Sequence, residues 1–178
     1  MEWFWYFFIY SLFGFVLEVL FARVTHAGKL DRKCFLLLPL CPVYGLGALA
    51  ILAAAPLLRP FPILMAVVGG GAATAVEYLV GLFYERALGV SFWDYSHLPL
   101  NVGGKVCLPF TAAWSVLSLG LVYGMQPWVS GLVARIPPAL TPAVIIFTVS
   151  DGLISLYLLK TTGTTESLKW YARSGEPS

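Results

Sequence analysis

Five stretches of this chain stay apolar for about twenty residues at a time, and no other feature restricts its fold so severely. Crossing a hydrocarbon layer about 30 Å thick takes about 20 residues at a helical rise of about 1.5 Å each. Residues 3–22, 34–58, 61–84, 106–125 and 139–159 all reach that length. They are too long for barrel strands, and lipid offers no partner to an open sheet edge, so all five predict helices. The expected fold class is all-α: a polytopic membrane helical bundle with about five transmembrane helices. Residues 1–160 would form the transmembrane domain and residues 161–178 a polar cytoplasmic tail, with Trp170 and Tyr171 resting at the headgroups. Residues 128–135, set between Pro127 and the Pro137-Pro138 pair, are expected to lie flat on the outer face. The first span reads as a retained helix, because its start carries Glu2 and no base, and Glu18 stands where a cleavage site would need small residues.

Charge and cysteine content narrow the function classes. Only 11% of residues are charged, against about 25% in soluble domains. A formal charge of +2 is too weak for the phosphate neutralisation that nucleic-acid binding requires. The three cysteines, Cys34, Cys41 and Cys107, show no CxxC spacing and predict neither a disulfide framework nor a zinc site. No cofactor is called for. Basic residues sort by loop: Arg23, Lys29, Arg32, Lys33, Arg86, Lys105, Lys160, Lys169 and Arg173 fall on one side, and Arg59 and Arg135 on the other. The excess of bases on cytoplasmic loops predicts an outside N-terminus and a cytoplasmic C-terminus in a multi-pass cell-membrane protein.

Order along the chain suggests a parallel two-helix repeat with one extra helix. Glu18 precedes a loop and then Lys33-Cys34-Phe35-Leu36; Glu77 precedes a loop and then Lys105-Val106-Cys107-Leu108. Both acids descend in the same direction, as duplicated halves related by an axis along the membrane normal would require.

Acids inside spans carry the functional reading. An ionisable side chain at the centre of a span costs about 2.5–3.5 kcal/mol on insertion scales and ordinarily faces the bundle interior. Glu18, Glu77 and Asp151 fall at about 7–14 Å from the inner ends of their helices, at about 1.5 Å per residue, so they could share one layer. Three carboxylates in one low-dielectric layer need cations or protons. Lys33 and Lys105, on long stems at the inner helix ends, are the candidates to reach them. The bland alternative is that each acid simply fastens neighbouring helices.

Two further features surround the acids. Gly69-Gly70-Gly71-Ala72-Ala73-Thr74-Ala75 gives the third helix a small-residue face for close packing in lipid. The run PLCPVYGLG places Pro39 and Pro42 inside the second span, predicting a broken helix that lines protein or a wet cavity, with the Tyr44 hydroxyl next to the break. The segment 92–108, FWDYSHLPLNVGGKVCL, combines interfacial aromatics with Asp94, His97 and Asn101. Its length without helical pattern favours a lid or binding loop.

GFVLE at 14–18, PLCPVYGLGA at 39–48, EYLVGLFYE at 77–85, WDYS at 93–96, NVGGKVCL at 101–108 and the late Asp151 together resemble the CmpB-like family of bacterial proteins, labelled "putative ABC-transporter type IV" permeases. The resemblance covers nearly the whole chain. That family carries Arg-Gly-Phe-Leu where this chain has Lys33-Cys34-Phe35-Leu36, and Arg where it has Lys105. It implies transport and names no substrate or catalytic residue.

The leading expectation is a transport or permease-like membrane protein that moves an ion or small solute through a polar site of Glu18, Glu77, Asp151, Tyr44, Lys33, Lys105, Asp94 and Asn101. No GxxxxGK[ST] run is present, so energy would come from a separate subunit or a coupling ion. Expected partners are the bilayer, a small solute, ion or lipid, and a second copy or an energising subunit. Two other classes stay open: a membrane-embedded enzyme acting on a lipid or lipid-linked substrate, and a non-catalytic scaffold.

Overall fold

The computed structural model describes residues 1–25 and 34–169. Lys29, Arg32, Lys33, Trp170, Tyr171 and Arg173 lie outside them. The described chain is all-helical: α1 (Glu2–Val24), α2 (Pro42–Leu58), α3 (Pro62–Leu88), α4 (Leu108–Val133) and α5 (Leu140–Thr162). A short 3-10 turn, Thr165–Leu168, follows. Helices α1, α3, α4 and α5 are long and apolar enough to cross a membrane, whereas α2 has only 17 residues. Large apolar side chains such as Ile63, Val67, Leu79, Val116, Ile146 and Leu153 point outward, as a lipid-facing surface requires.

Helix α2 corrects the sequence reading. It starts at Pro42, not at residue 34, so neither proline breaks a helix: Pro39 precedes α2 and Pro42 is its first residue. Residues 34–41 are a non-helical strap, and irregular backbone survives at membrane depth only when protein satisfies it. Here it does. The Leu36 amide donates to Ser155 Oγ (2.8 Å), the Leu37 amide to Asp151 Oδ1 (3.0 Å), and the Leu38 amide to Asp151 Oδ2 (2.7 Å). The Leu40 amide donates to the Leu38 carbonyl and the Cys41 amide to the Ser11 carbonyl of α1. Pro39 and Pro42 have no N–H to satisfy, so each proline stands where a donor would need a further partner. Pro42 then opens α2 at its first turn, where a missing N–H costs nothing.

Helix α4 also differs from expectation. It continues through Pro127 to Val133, so residues 128–135 do not form a separate segment lying flat. Gly120–Met125 adopt a wider π turn, which opens the hydrogen-bond ladder just where Pro127 would remove a donor and crowd the preceding turn. The continuation packs on α1. Val129 is fully buried, Trp128 stacks on Phe13 at 6.3 Å, and the Tyr10 hydroxyl donates to Gln126 Oε1 at 2.8 Å.

Helices α1 to α4 pack in chain order, α1 on α2, α2 on α3 and α3 on α4. Close approach comes from small residues: a Cβ at Gly45 would lie 2.2 Å from Ser11 Oγ, and one at Gly70 2.1 Å from Ser115 Oγ. The main core gathers Ile9, Tyr10, Ile51, Met65, Trp114 and Val129. Helix α5 stands beside this core. It is fastened through the strap by Asp151 and Ser155, through Trp5 Nε1, which donates to Thr141 Oγ1 (3.1 Å), and through Lys160 Nζ, which donates to the Ala87 carbonyl (2.6 Å). Beyond it, Leu168 is fully buried in a cluster with Tyr84, Leu88, Val90 and Leu159, so the chain from 165 to 168 is docked on the end of α3.

Candidate functional site

Spacing on two helices decides where the acids go. In α1, Glu18 follows Gly14 by four residues and shares its face. A Cβ at Gly14 would lie 2.3 Å from Tyr44, so the missing side chain admits the Tyr44 ring against α1. Its hydroxyl then donates to Glu18 Oε1 at 2.8 Å. In α3, Glu77 follows Gly70 by seven residues, two turns along the face that meets α4. Trp114 of α4 donates its indole N–H to Glu77 Oε2 at 2.9 Å, and the Tyr95 hydroxyl donates to Oε1 at 3.2 Å. The Tyr44 and Trp114 rings pack 5.2 Å apart, joining the two carboxylate groups through one aromatic contact.

Glu18 and Glu77 both line a single cavity of about 430 Å³. Its remaining wall is almost wholly apolar and aromatic, with Tyr44, Phe92, Trp93, Tyr95, Phe110 and Trp114 facing in. Position explains the void. Helix α1 packs on the 126–133 stretch of α4, but the first half of α4 stands off from it. The Phe21 and Phe110 rings meet edge-on at 6.1 Å across this gap. Leu17, Val116 and Leu117 line the same cavity and are exposed on the outer surface of the bundle, so the gap gives onto the lipid side.

The segment between α3 and α4 forms one end of the cavity and is tightly hydrogen-bonded. Asp94 Oδ1 accepts the Ser96 amide (2.8 Å), and this bond, with the Ser96 hydroxyl, holds the Asp94 carboxyl below its usual range. Asn101 Nδ2 donates to the Ser96 and Leu98 carbonyls while its Oδ1 accepts from Gly104. The Tyr95 amide donates to the Gly104 carbonyl at 2.7 Å, and Gly103 and Gly104 take the positive φ values of 58° and 70° that side chains resist. Trp93 Nε1 donates to the Lys105 carbonyl at 2.8 Å. Asp94 and Asn101 therefore fold the loop, and their neighbours Phe92, Trp93 and Tyr95 face the cavity.

The other expected site residues are placed as follows. Tyr44 bonds Glu18 in the cavity. Lys105 forms an ion pair with Glu85 and donates to the Gly103 carbonyl at 3.1 Å, and does not line the cavity. Lys33 lies outside the described residues. Asp151 is buried, but both its oxygens are taken up by the strap amides, and it does not line the cavity either. The acids thus form one pair, Glu18 with Glu77, and one separate anchor. Trp114 and Tyr95 were absent from the expected site. Trp114 carried a readable signal, since tryptophan prefers the membrane interface and this one stands two turns inside its span.

No curated protein and no solved structure matches the chain. The family model described as "Putative ABC-transporter type IV" matches residues 5–158, and the chain belongs to that family of multi-pass membrane proteins.

Proposed function

We propose that this chain is the membrane-embedded, solute-binding part of a transporter, with Glu18 and Glu77 as the groups that hold the solute. One observation carries the reading: carboxylates from two different helix pairs line the same cavity. Anchoring alone needs no empty space beside an acid, as Asp151 illustrates. Tyr44 donates to Glu18, and Tyr95 and Trp114 donate to Glu77, so neutral donors hold both acids at the cavity wall. The excess of Lys and Arg on the α1–α2 and α3–α4 loops supports an outside N-terminus and a cytoplasmic C-terminus. That orientation would set the cavity in the inner half of the bilayer. Energy would come from a separate ATP-hydrolysing subunit or from a coupling ion.

Proteoliposome flux across a panel of ions and small solutes tests the reading. The solute that is carried should lose at least tenfold in rate with Glu77→Gln and with Glu18→Gln. Wild-type and variant fluxes that agree throughout the panel would overturn it.

A further inference from the structure

We propose that the solute is an amphipathic organic cation, its positive charge on Glu77 and its apolar body among the aromatic rings. The inference rests on the cavity being the solute site. Size speaks first. About 430 Å³ falls within the range of roughly 300–1,000 Å³ found for small-molecule pockets and far exceeds the roughly 30 Å³ share of one water. Among the described residues no three His, Cys, Asp or Glu side chains come together as metal ligands.

Charge comes next. Glu77 is 6% exposed, and its partners are an indole and a phenol, both neutral. An indole N–H can only donate, so Oε2 is held as an acceptor. Among the described residues no Lys, Arg or His pairs with Glu77, and Lys105 of the adjoining loop is occupied by Glu85. A buried carboxylate without a counter-charge is unfavourable in a low dielectric, and a cationic ligand supplies one. The walls agree with that charge, because ring faces attract cations. An anion would meet Glu77 itself, and a sugar would find few polar groups.

Access completes the inference. The seam between α1 and α4, bordered by Leu17, Phe21, Val116 and Leu117, gives onto lipid. A molecule that partitions into the bilayer can reach Glu77 by that route, whereas a strongly hydrated ion would first have to cross hydrocarbon.

Tetraphenylphosphonium and tetraphenylborate share a shape and differ in the sign of their charge. Their binding to the protein in lipid nanodiscs, corrected with empty discs, tests the proposal. Saturable binding of the phosphonium, at least tenfold weaker in Glu77→Gln, with no saturable binding of the borate, is the expected result. Ala113→Trp fills the cavity without touching the carboxylate and should abolish binding too. Equal binding by wild type and Glu77→Gln, borate bound as tightly as phosphonium, or binding kept in Ala113→Trp would overturn it. Absence of phosphonium binding, with Glu77-dependent flux of some other solute, would overturn the substrate class and leave the transport reading standing. Glu77-dependent phosphonium binding without flux of any solute would sustain the cation site and remove the transport reading.

Discussion

Asp151 and Glu77 are both carboxylates buried within membrane helices, and the fold gives them opposite surroundings. Both oxygens of Asp151 are engaged by the amides of Leu37 and Leu38, and it fastens α5 to the irregular strap of residues 34–41. Glu77 is held by two side-chain donors and faces a cavity. Backbone amides cannot move aside without unfolding the strap, whereas phenol and indole groups can turn and make room for a ligand. The two acids therefore differ in the kind of donor and in the space beside them, and on the proposed function that difference, not the acid or its depth, would separate an anchor from a site.

The comparison can be broken most sharply at the anchor. Asp151→Leu leaves the Leu37 and Leu38 amides without acceptors. At about 1–3 kcal/mol for each unsatisfied buried group, the loss should reach about 2–6 kcal/mol, read from unfolding in mixed micelles. A loss below about 1 kcal/mol would show that the strap does not depend on Asp151. Next comes the seam that aims Glu77. Gly70→Val places atoms where Ser115 already stands and should cost about 1–3 kcal/mol by overpacking. Gly71→Ala is the control, because a Cβ there meets nothing within 4 Å; its stability should match wild type or exceed it slightly. Glu77→Gln should be milder, at about 1 kcal/mol, since the amide oxygen can still accept the Trp114 N–H and the amide NH2 can donate to the Tyr95 hydroxyl, so that chiefly charge assistance is lost.

The smallest effect belongs to Asp94, whose carboxyl is exposed and held low by Ser96. A group with a folded value below its unfolded one adds stability above the unfolded value and loses it as pH falls through the folded one. Protease protection of the loop should therefore be full above the ordinary aspartate range, decline as pH falls through that range, and level off below the lowered folded value. Asp94→Asn should remove that dependence.

Much of this architecture was legible in the sequence. Long apolar runs fix helices in lipid because no other backbone state satisfies itself there, and α1, α3 and α5 fall close to where those runs lie. The strap was not legible: CFLLLPLC is as apolar as a helix, and what keeps it extended is a set of partners more than a hundred residues away on α5. The continuation of α4 past Pro127 depended likewise on a π turn that apolar content does not reveal. Two of the three acids met at one cavity, as the depth estimate allowed. Lys105 turned to Glu85 instead, because a base at a helix end has several acids within reach and sequence spacing does not rank them. Tyr95 was hidden because its reach to Glu77 depends on the left-handed turn at Gly103-Gly104, a feature of the loop and not of any periodic pattern.

Two isosteric substitutions compared in one preparation test the distinction between anchor and site most directly: Glu77→Gln and Asp151→Asn, each measured for unfolding stability and for flux of the carried solute in proteoliposomes. The account predicts that Glu77→Gln lowers flux at least tenfold while stability changes by about 1 kcal/mol, and that Asp151→Asn costs more stability but leaves flux per folded molecule near wild type. Flux that survives Glu77→Gln and disappears in folded Asp151→Asn would contradict it.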